Sequence, residues 1–327
     1  FKTALHLSGE RHFLCATLWL VIINHMIRTF LSFTFLFFGL ISVVACNNSN
    51  DTQEQSSTQS EEATIVSDTI AAIATPPLHH DTTVFYDFKQ TPVEVIIKYP
   101  TSDFKGTIIA LPGWNYPNSD WCDETTLCEK ALHQGYALVL PEMGKSIYCD
   151  TVFPETRKDW LKYPTRQWIN ETMIPNLQSQ FQLLVQEQNN FVMGLSTGAR
   201  GAVLLTIDHP ELFAACGALS GDFDQTRYTK DKLYNGYYGS FDQFTDRWLN
   251  NDNAITSINE LTIPVYIGHG EQDKIVPIAY SQQLYDALQK VGNNRSELHI
   301  NKEAGHTYEY WDSEVDKVLE FFEKYAK

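Results

Sequence analysis

Residues Phe191-Val192-Met193-Gly194-Leu195-Ser196-Thr197-Gly198-Ala199-Arg200-Gly201-Ala202 open with an apolar run of buried-strand type, pass through G-x-S-x-G and continue as a helical pattern to Ile207. Strand, sharp turn, helix is the order that lifts a serine clear of a sheet. The serine occupies a strained turn, and glycines two places to either side let strand and helix approach closely. Ser196 is therefore the candidate nucleophile. In a chain with 17 glycines the five-residue match alone says little, so the weight falls on its surroundings.

Outward from this element, short apolar runs alternate with longer helical patterns, which predicts an α/β fold with a mainly parallel central sheet and helices on both faces. Runs at 84–88, 93–99, 106–111, 136–140, 212–219, 264–268 and 298–302 read as strands. Helical patterns cover 124–134, 159–187, 279–291 and 313–325, the second interrupted by Pro164 and Pro175. Residues 228–261, rich in Tyr, Asp, Asn and Gly, are expected to cap the site. The stretch 83–327, about 245 residues without an internal repeat, is long enough for one large catalytic domain.

The N-terminal part has another character. Met26 is the expected start, Arg28 a positively charged n-region, 30–44 an apolar h-region, and Val43-Val44-Ala45-Cys46 a cleavage site, so 1–46 is an upstream region plus signal peptide. The last tetrapeptide resembles a bacterial lipobox. That resemblance implies cleavage before Cys46, diacylglycerol on its thiol and an extracytoplasmic protein anchored to a membrane by lipid. Residues 47–82 contain no aromatic residue and read as a disordered linker. As a flexible coil, those 36 residues would reach roughly 30–36 Å from the bilayer. His79 and His80 read as solvated linker residues.

The motifs of 83–327 together resemble the α/β-hydrolase superfamily, and within it the esterase D-like group of acyl and carbohydrate esterases. The resemblance rests on G-L-S-T-G-A-R-G-A from Gly194, H-P-E-L-F from His209, S-G-D-F-D from Ser220, H-G-E-Q-D-K-I-V-P from His269, and A-G-H ending at His306. It implies a serine esterase in which Asp273 orients His306 and His306 takes the Ser196 proton. Glu271 and Asp222 are the rival acids, and His299 lies within a strand pattern. The oxyanion hole is expected from the backbone N–H of Thr197 and of Trp114, with Asn115 the alternative to Trp114. Proline at 112, Thr197 and Ala199 depart from what many relatives carry, which bears on the subfamily.

The expected substrate is a carboxylic ester, small or glycan-borne. Trp114, Tyr116, Trp121, Tyr308, Tyr310 and Trp311 flank the site in sequence and are candidates for lining its pocket. A serine peptidase and a non-catalytic binding protein of the same fold are the other readings. The formal charge of −16 falls to about −18 without residues 1–46 and argues against nucleic acid as a partner. Neither C-x-x-C nor H-E-x-x-H occurs, so no metal or other cofactor is expected. Four cysteines follow Cys46: Cys122, Cys128, Cys149 and Cys216. Cys216 reads as a buried strand thiol. Cys122 and Cys149 follow neighbouring strands and are the expected pair, although sequence alone does not choose among connectivities.

Overall fold

A computed structural model describes residues 80–160, 164–249 and 252–327. The signal peptide, the lipobox and nearly all of the linker expected from the sequence lie outside the described residues.

Eight strands form one sheet in the order β1-β2-β4-β3-β5-β6-β7-β8. β1 (Thr82–Phe88) and β2 (Thr91–Lys98) make an antiparallel hairpin. Its two connecting residues, Lys89 and Gln90, both take positive φ, 47° and 75°. A two-residue turn with left-handed backbone matches the twist of the flanking strands, here with two non-glycine residues held at positive φ. β2 also runs antiparallel to β4 (Tyr136–Pro141). From there β3 (Gly106–Leu111), β5 (Asn189–Leu195), β6 (Ala215–Leu219), β7 (Val265–Gly270) and β8 (Glu297–Asn301) pair in parallel.

The central strands are apolar along their length because helices cover both faces. Successive side chains alternate between two core layers. Ile109 and Leu111 point to the face that holds Ala199, Ala202 and Val203 of the helix Thr197–Asp208. Ile108 and Ala110 point to the other, where Trp311, Val315, Val318 and Phe322 of the helix Tyr308–Glu323 pack. There Phe191 and Phe322 stack with ring centroids 4.5 Å apart. This last helix begins five residues before the run expected from Ser313, because Thr307 caps it by accepting the backbone N–H of Tyr310.

Pro164 breaks the expected pattern, standing in extended conformation just before the helix, whereas Pro175 leaves it kinked. The helix runs through Thr165–Trp168, a π turn at Ile169–Met173 and Ile174–Phe181. Pro175 has no N–H to offer the preceding turn and its ring crowds the carbonyl four residues back, and the wider turn just before it absorbs the mismatch. A third, smaller apolar cluster joins Ile147 and Cys149 to Tyr234, Tyr237, Tyr238 and Trp248 of the segment expected to cap the site.

The expected disulfide is corrected. Cys122 pairs with Cys128, six residues on, tying the short helix Asp120–Asp123 to the helix Leu127–His133. Cys149 is a buried thiol within the third cluster, and Cys216 is a buried thiol on β6. Burial pushes both thiols well above the usual range.

Candidate active site

β5 ends at Leu195, and Ser196 turns the chain with φ 54° and ψ −125° before the helix Thr197–Asp208 begins. A non-glycine residue held there costs on the order of 1–3 kcal/mol, so its surroundings must fix it. They do. A Cβ on Gly194 would lie 2.2 Å from Gly198 O, and one on Gly198 would lie 2.3 Å from Leu111 O, so neither glycine can be replaced without moving backbone. The Ser196 N–H donates to Leu219 O at 2.8 Å, which locks the turn to the end of β6.

The other two residues arrive from neighbouring strand ends. Asp273 follows β7, and His306 lies in the loop between β8 and the last helix. A Cβ on Gly270 would lie 2.4 Å from Ala304 O, so glycine there lets the two loops meet. The Ser196 hydroxyl lies 3.0 Å from His306 Nε2, and His306 Nδ1 lies 2.7 Å from Asp273 Oδ2. The other Asp273 oxygen accepts the backbone N–H groups of Ile275 and Val276, each at 2.8 Å. Trp311 stands edge-on to the imidazole, 4.9 Å between centroids, and steadies its plane.

Behind Asp273 sits His269, fully buried, with Nδ1 2.7 Å from the Ser281 hydroxyl and Nε2 2.9 Å from Val276 O. Its Nε2 also lies 3.4 Å from Asp273 Oδ2. Burial alone would raise the Asp273 carboxyl. The hydrogen bonds from His269, His306 and the Val276 N–H outweigh it and hold the group well below the usual carboxylate range. Asp273 is thus kept as an anion facing the imidazole. Of the rival acids, Glu271 is exposed, and Asp222 is buried without a bond to His306. His299 bonds Glu297 at 3.0 Å and stacks on Tyr266, a structural position.

Ser196 opens into a cavity of about 960 Å³ that Trp114 and Thr197 also line. Asn115 turns the first loop with φ 58° and spends its N–H on Gly144 O at 2.8 Å, which removes it as an oxyanion donor. Tyr228, Tyr234, Tyr280 and Pro277 form much of the wall, and Arg227, Lys230 and Lys232 are exposed residues of its lining. Ile275, 71% exposed, extends an apolar rim.

Of the aromatic residues expected to line the pocket, Trp114 alone is among the lining residues. Trp121, Tyr310 and Trp311 are buried in the core layer under the last helix, and Tyr116 packs on Tyr308, 5.5 Å between centroids. The aromatic wall comes instead from the segment after β6 and from Tyr280.

Arg200, one turn into the elbow helix, went unremarked in the sequence. It is fully buried and donates to Ile147 O at 3.1 Å, Gln225 Oε1 at 3.0 Å, the hydroxyl of Tyr234 at 3.3 Å, and Asp252 O. It thereby binds the elbow to the capping segment. A lone arginine in the run G-A-R-G-A-V-L-L is the signal that could have marked it. Asp222, weighed only as a rival acid, lines the cavity, and burial pushes its carboxyl up to about 7 against the opposing pull of Arg200.

A family model described as the prolyl oligopeptidase family matches residues 156–327, just over half of the chain. The chain belongs to the prolyl oligopeptidase family. Similar to this family member, at 25% identity over 63% of its length and 71% of the relative's, is the diacylglycerol acyltransferase/mycolyltransferase Ag85A of Mycobacterium leprae. Among solved structures, an S-formylglutathione hydrolase from Agrobacterium tumefaciens superposes with a TM-score of 0.61 at 13% identity, covering 76% of this chain and 95% of that one. A structure described as a dipeptidyl aminopeptidase IV of Bacteroides ovatus gives a TM-score of 0.59 at 14% identity, covering 75% of this chain and 36% of that one. These likenesses fix the fold of this prolyl oligopeptidase family chain as that of an α/β-hydrolase.

Proposed function

We propose that the protein is a serine hydrolase that cleaves carboxylic esters through an acyl-enzyme on Ser196. The observation that carries this is the unbroken hydrogen-bonded line from the Ser196 hydroxyl through His306 to Asp273. The Ser196 O–H donates to Nε2, and the Nδ1–H donates to Asp273, which fixes the tautomer that can take a proton. As Ser196 Oγ attacks the ester carbonyl, His306 receives its proton and Asp273 stabilises the resulting cation. The backbone N–H groups of Thr197 and Trp114 are the proposed donors to the oxyanion, where losing one donor typically costs about 2.7–4 kcal/mol. His306 then protonates the departing alcohol. Water, deprotonated by the same imidazole, attacks the acyl-enzyme and releases the acid.

The similar acyltransferase is named for acyl transfer and the structural neighbour S-formylglutathione hydrolase for hydrolysis, which supports hydrolysis of an acyl substrate. The family match favours a second reading, cleavage of peptide bonds by the same three residues. Side-by-side rates on 4-nitrophenyl acetate and a dipeptidyl 4-nitroanilide separate the two: turnover of the ester with a far slower anilide is expected, and the reverse order would reassign the protein as a peptidase.

The proposed setting is extracytoplasmic, with a lipid anchor at Cys46. The Val43-Val44-Ala45-Cys46 motif supports the anchor, and the Cys122–Cys128 disulfide supports an oxidising compartment. In a bacterial host, Cys46→Ser is expected to shift the protein from the membrane to the soluble fraction, and retention of the variant on the membrane would rule the anchor out.

A further inference from the structure

The segment after β6 brings three cations to the cavity of an acidic chain. Arg227-Tyr228-Thr229-Lys230-Asp231-Lys232 holds three basic residues in six, in a molecule of formal charge −16, and all three line the cavity that Ser196 opens into. Two aspartates fix the stretch there. Asp224 caps the turn Gln225–Tyr228 by accepting the Thr226 N–H at 3.0 Å, and Asp231 caps the helix Lys232–Tyr238 by accepting the N–H groups of Leu233 and Tyr234.

These cations have no carboxylate of their own. Elsewhere Lys98, Lys130, Arg166 and Arg247 each meet one, but among the described residues Arg227, Lys230 and Lys232 form no ion pair. Arg227 is held by neutral groups instead: it donates to Gln283 Oε1 at 3.0 Å and lies over the Tyr280 ring, 6.0 Å from its centroid. The guanidinium is positioned without being neutralised. Two carboxylates of the lining, Asp222 and Asp231, offset the three cations incompletely. Asp231 is engaged as a cap, and burial pushes Asp222 up to about 7, so near neutral pH Asp222 carries only part of its negative charge.

Resting on the ester chemistry proposed above, we propose that Arg227, Lys230 and Lys232 are specificity-determining residues that attract an anionic group of the substrate, a carboxylate or phosphate set apart from the scissile ester. A cleft with an excess of one sign of charge focuses its field and raises the local concentration of an oppositely charged substrate. The planar fork of Arg227 matches two oxygens of such a group, and the exposed Lys230 and Lys232 add point charges beside it. All three line the same concavity as the nucleophile, which favours a group on the substrate over a charged membrane surface.

Two pairs of esters, each differing by methylation of one distal carboxylate, test this. Mono-4-nitrophenyl adipate and its methyl ester carry the group on the acyl side, and 4-acetoxybenzoate and its methyl ester carry it on the alcohol side. In the double variant Lys230→Gln, Lys232→Gln, the ratio of kcat/KM for the anionic ester to that for its methylated partner is expected to fall roughly 3- to 10-fold in at least one pair. Arg227→Gln is expected to lower the same ratio, and Arg227→Lys, which keeps the charge, to retain most of it. With wild-type protein, raising sodium chloride from about 0.02 M to about 0.5 M should also lower the ratio, because screening shortens the reach of the cations. That arm needs no variant to fold. Ratios within twofold of wild type in both pairs overturn the proposal, as does a wild-type ratio indifferent to salt. Unchanged ratios with lost binding to phosphatidylglycerol vesicles would overturn it in favour of a membrane contact. Wild-type protein inert on all four esters is a separate failure, since it overturns the ester chemistry itself.

Discussion

Ser196→Ala is expected to lower kcat for ester hydrolysis by about five to six orders of magnitude, as removal of the nucleophile does in other serine hydrolases. The alanine methyl fills the space of the hydroxymethyl without an atom that can attack, and the turn at φ 54° is held by Gly194, Gly198 and the bond to Leu219 rather than by the hydroxyl. The fold should therefore survive and the loss fall on kcat. What remains above the uncatalysed rate belongs to binding and to the backbone donors of the cavity. Adding His306→Ala to the same chain should cost little more, because the two residues act as one unit. A single variant with kcat near wild type would remove Ser196 from the chemistry.

Asp273→Asn is expected to lower kcat by about 10⁴ with the geometry almost unchanged. The reason lies in the backbone around it. One oxygen of Asp273 accepts the N–H groups of Ile275 and Val276, each at 2.8 Å, and an asparagine must keep its carbonyl oxygen there. Its NH₂ group then faces His306 Nδ1, which has to accept instead of donate. The imidazole proton moves to Nε2, where it points at Ser196 Oγ, 3.0 Å away, and the ring can no longer take the serine's proton. Glu271→Gln, on an exposed residue two positions earlier, should leave kcat within about twofold. Steady-state kinetics on 4-nitrophenyl acetate checks both variants, and equal losses in the two would contradict the assignment of Asp273.

The parts of this fold that could be read from the chain are those set by local sterics. G-x-S-x-G next to an apolar run marks the elbow because only glycine fits where a Cβ would lie 2.2 Å from a carbonyl oxygen, as at Gly194. The strand runs of the core are legible because burial on both faces leaves little but apolar residues in β3, β4 and β6. Asp273 and His306 could be placed after their strands because their order follows that of the sheet.

What escaped the chain depends on packing between distant segments. Trp121 and Trp311 are as aromatic as Tyr228 and Tyr234, and only the placement of the last helix sends the first two into the core and leaves the others on the cavity wall. Cys128 is nearer than Cys149 to Cys122 in sequence, yet strand adjacency favoured Cys149, which the structure buries in a cluster of tyrosines and Trp248. Arg200 and Asp222 carry charges in runs that read as helix and turn. Their meaning appears only once the capping segment covers them.

The most direct test of the serine assignment is labelling with a fluorophosphonate probe followed by peptide mapping of the adduct, with Ser196→Ala alongside. Such a probe reacts with a serine only where a base has raised its nucleophilicity, so it reads the Ser196–His306 contact itself. Stoichiometric adduct on Ser196, absent from the alanine variant, is the expected result. Well-folded protein that takes up no probe, or takes it up equally in the variant, would contradict an activated Ser196.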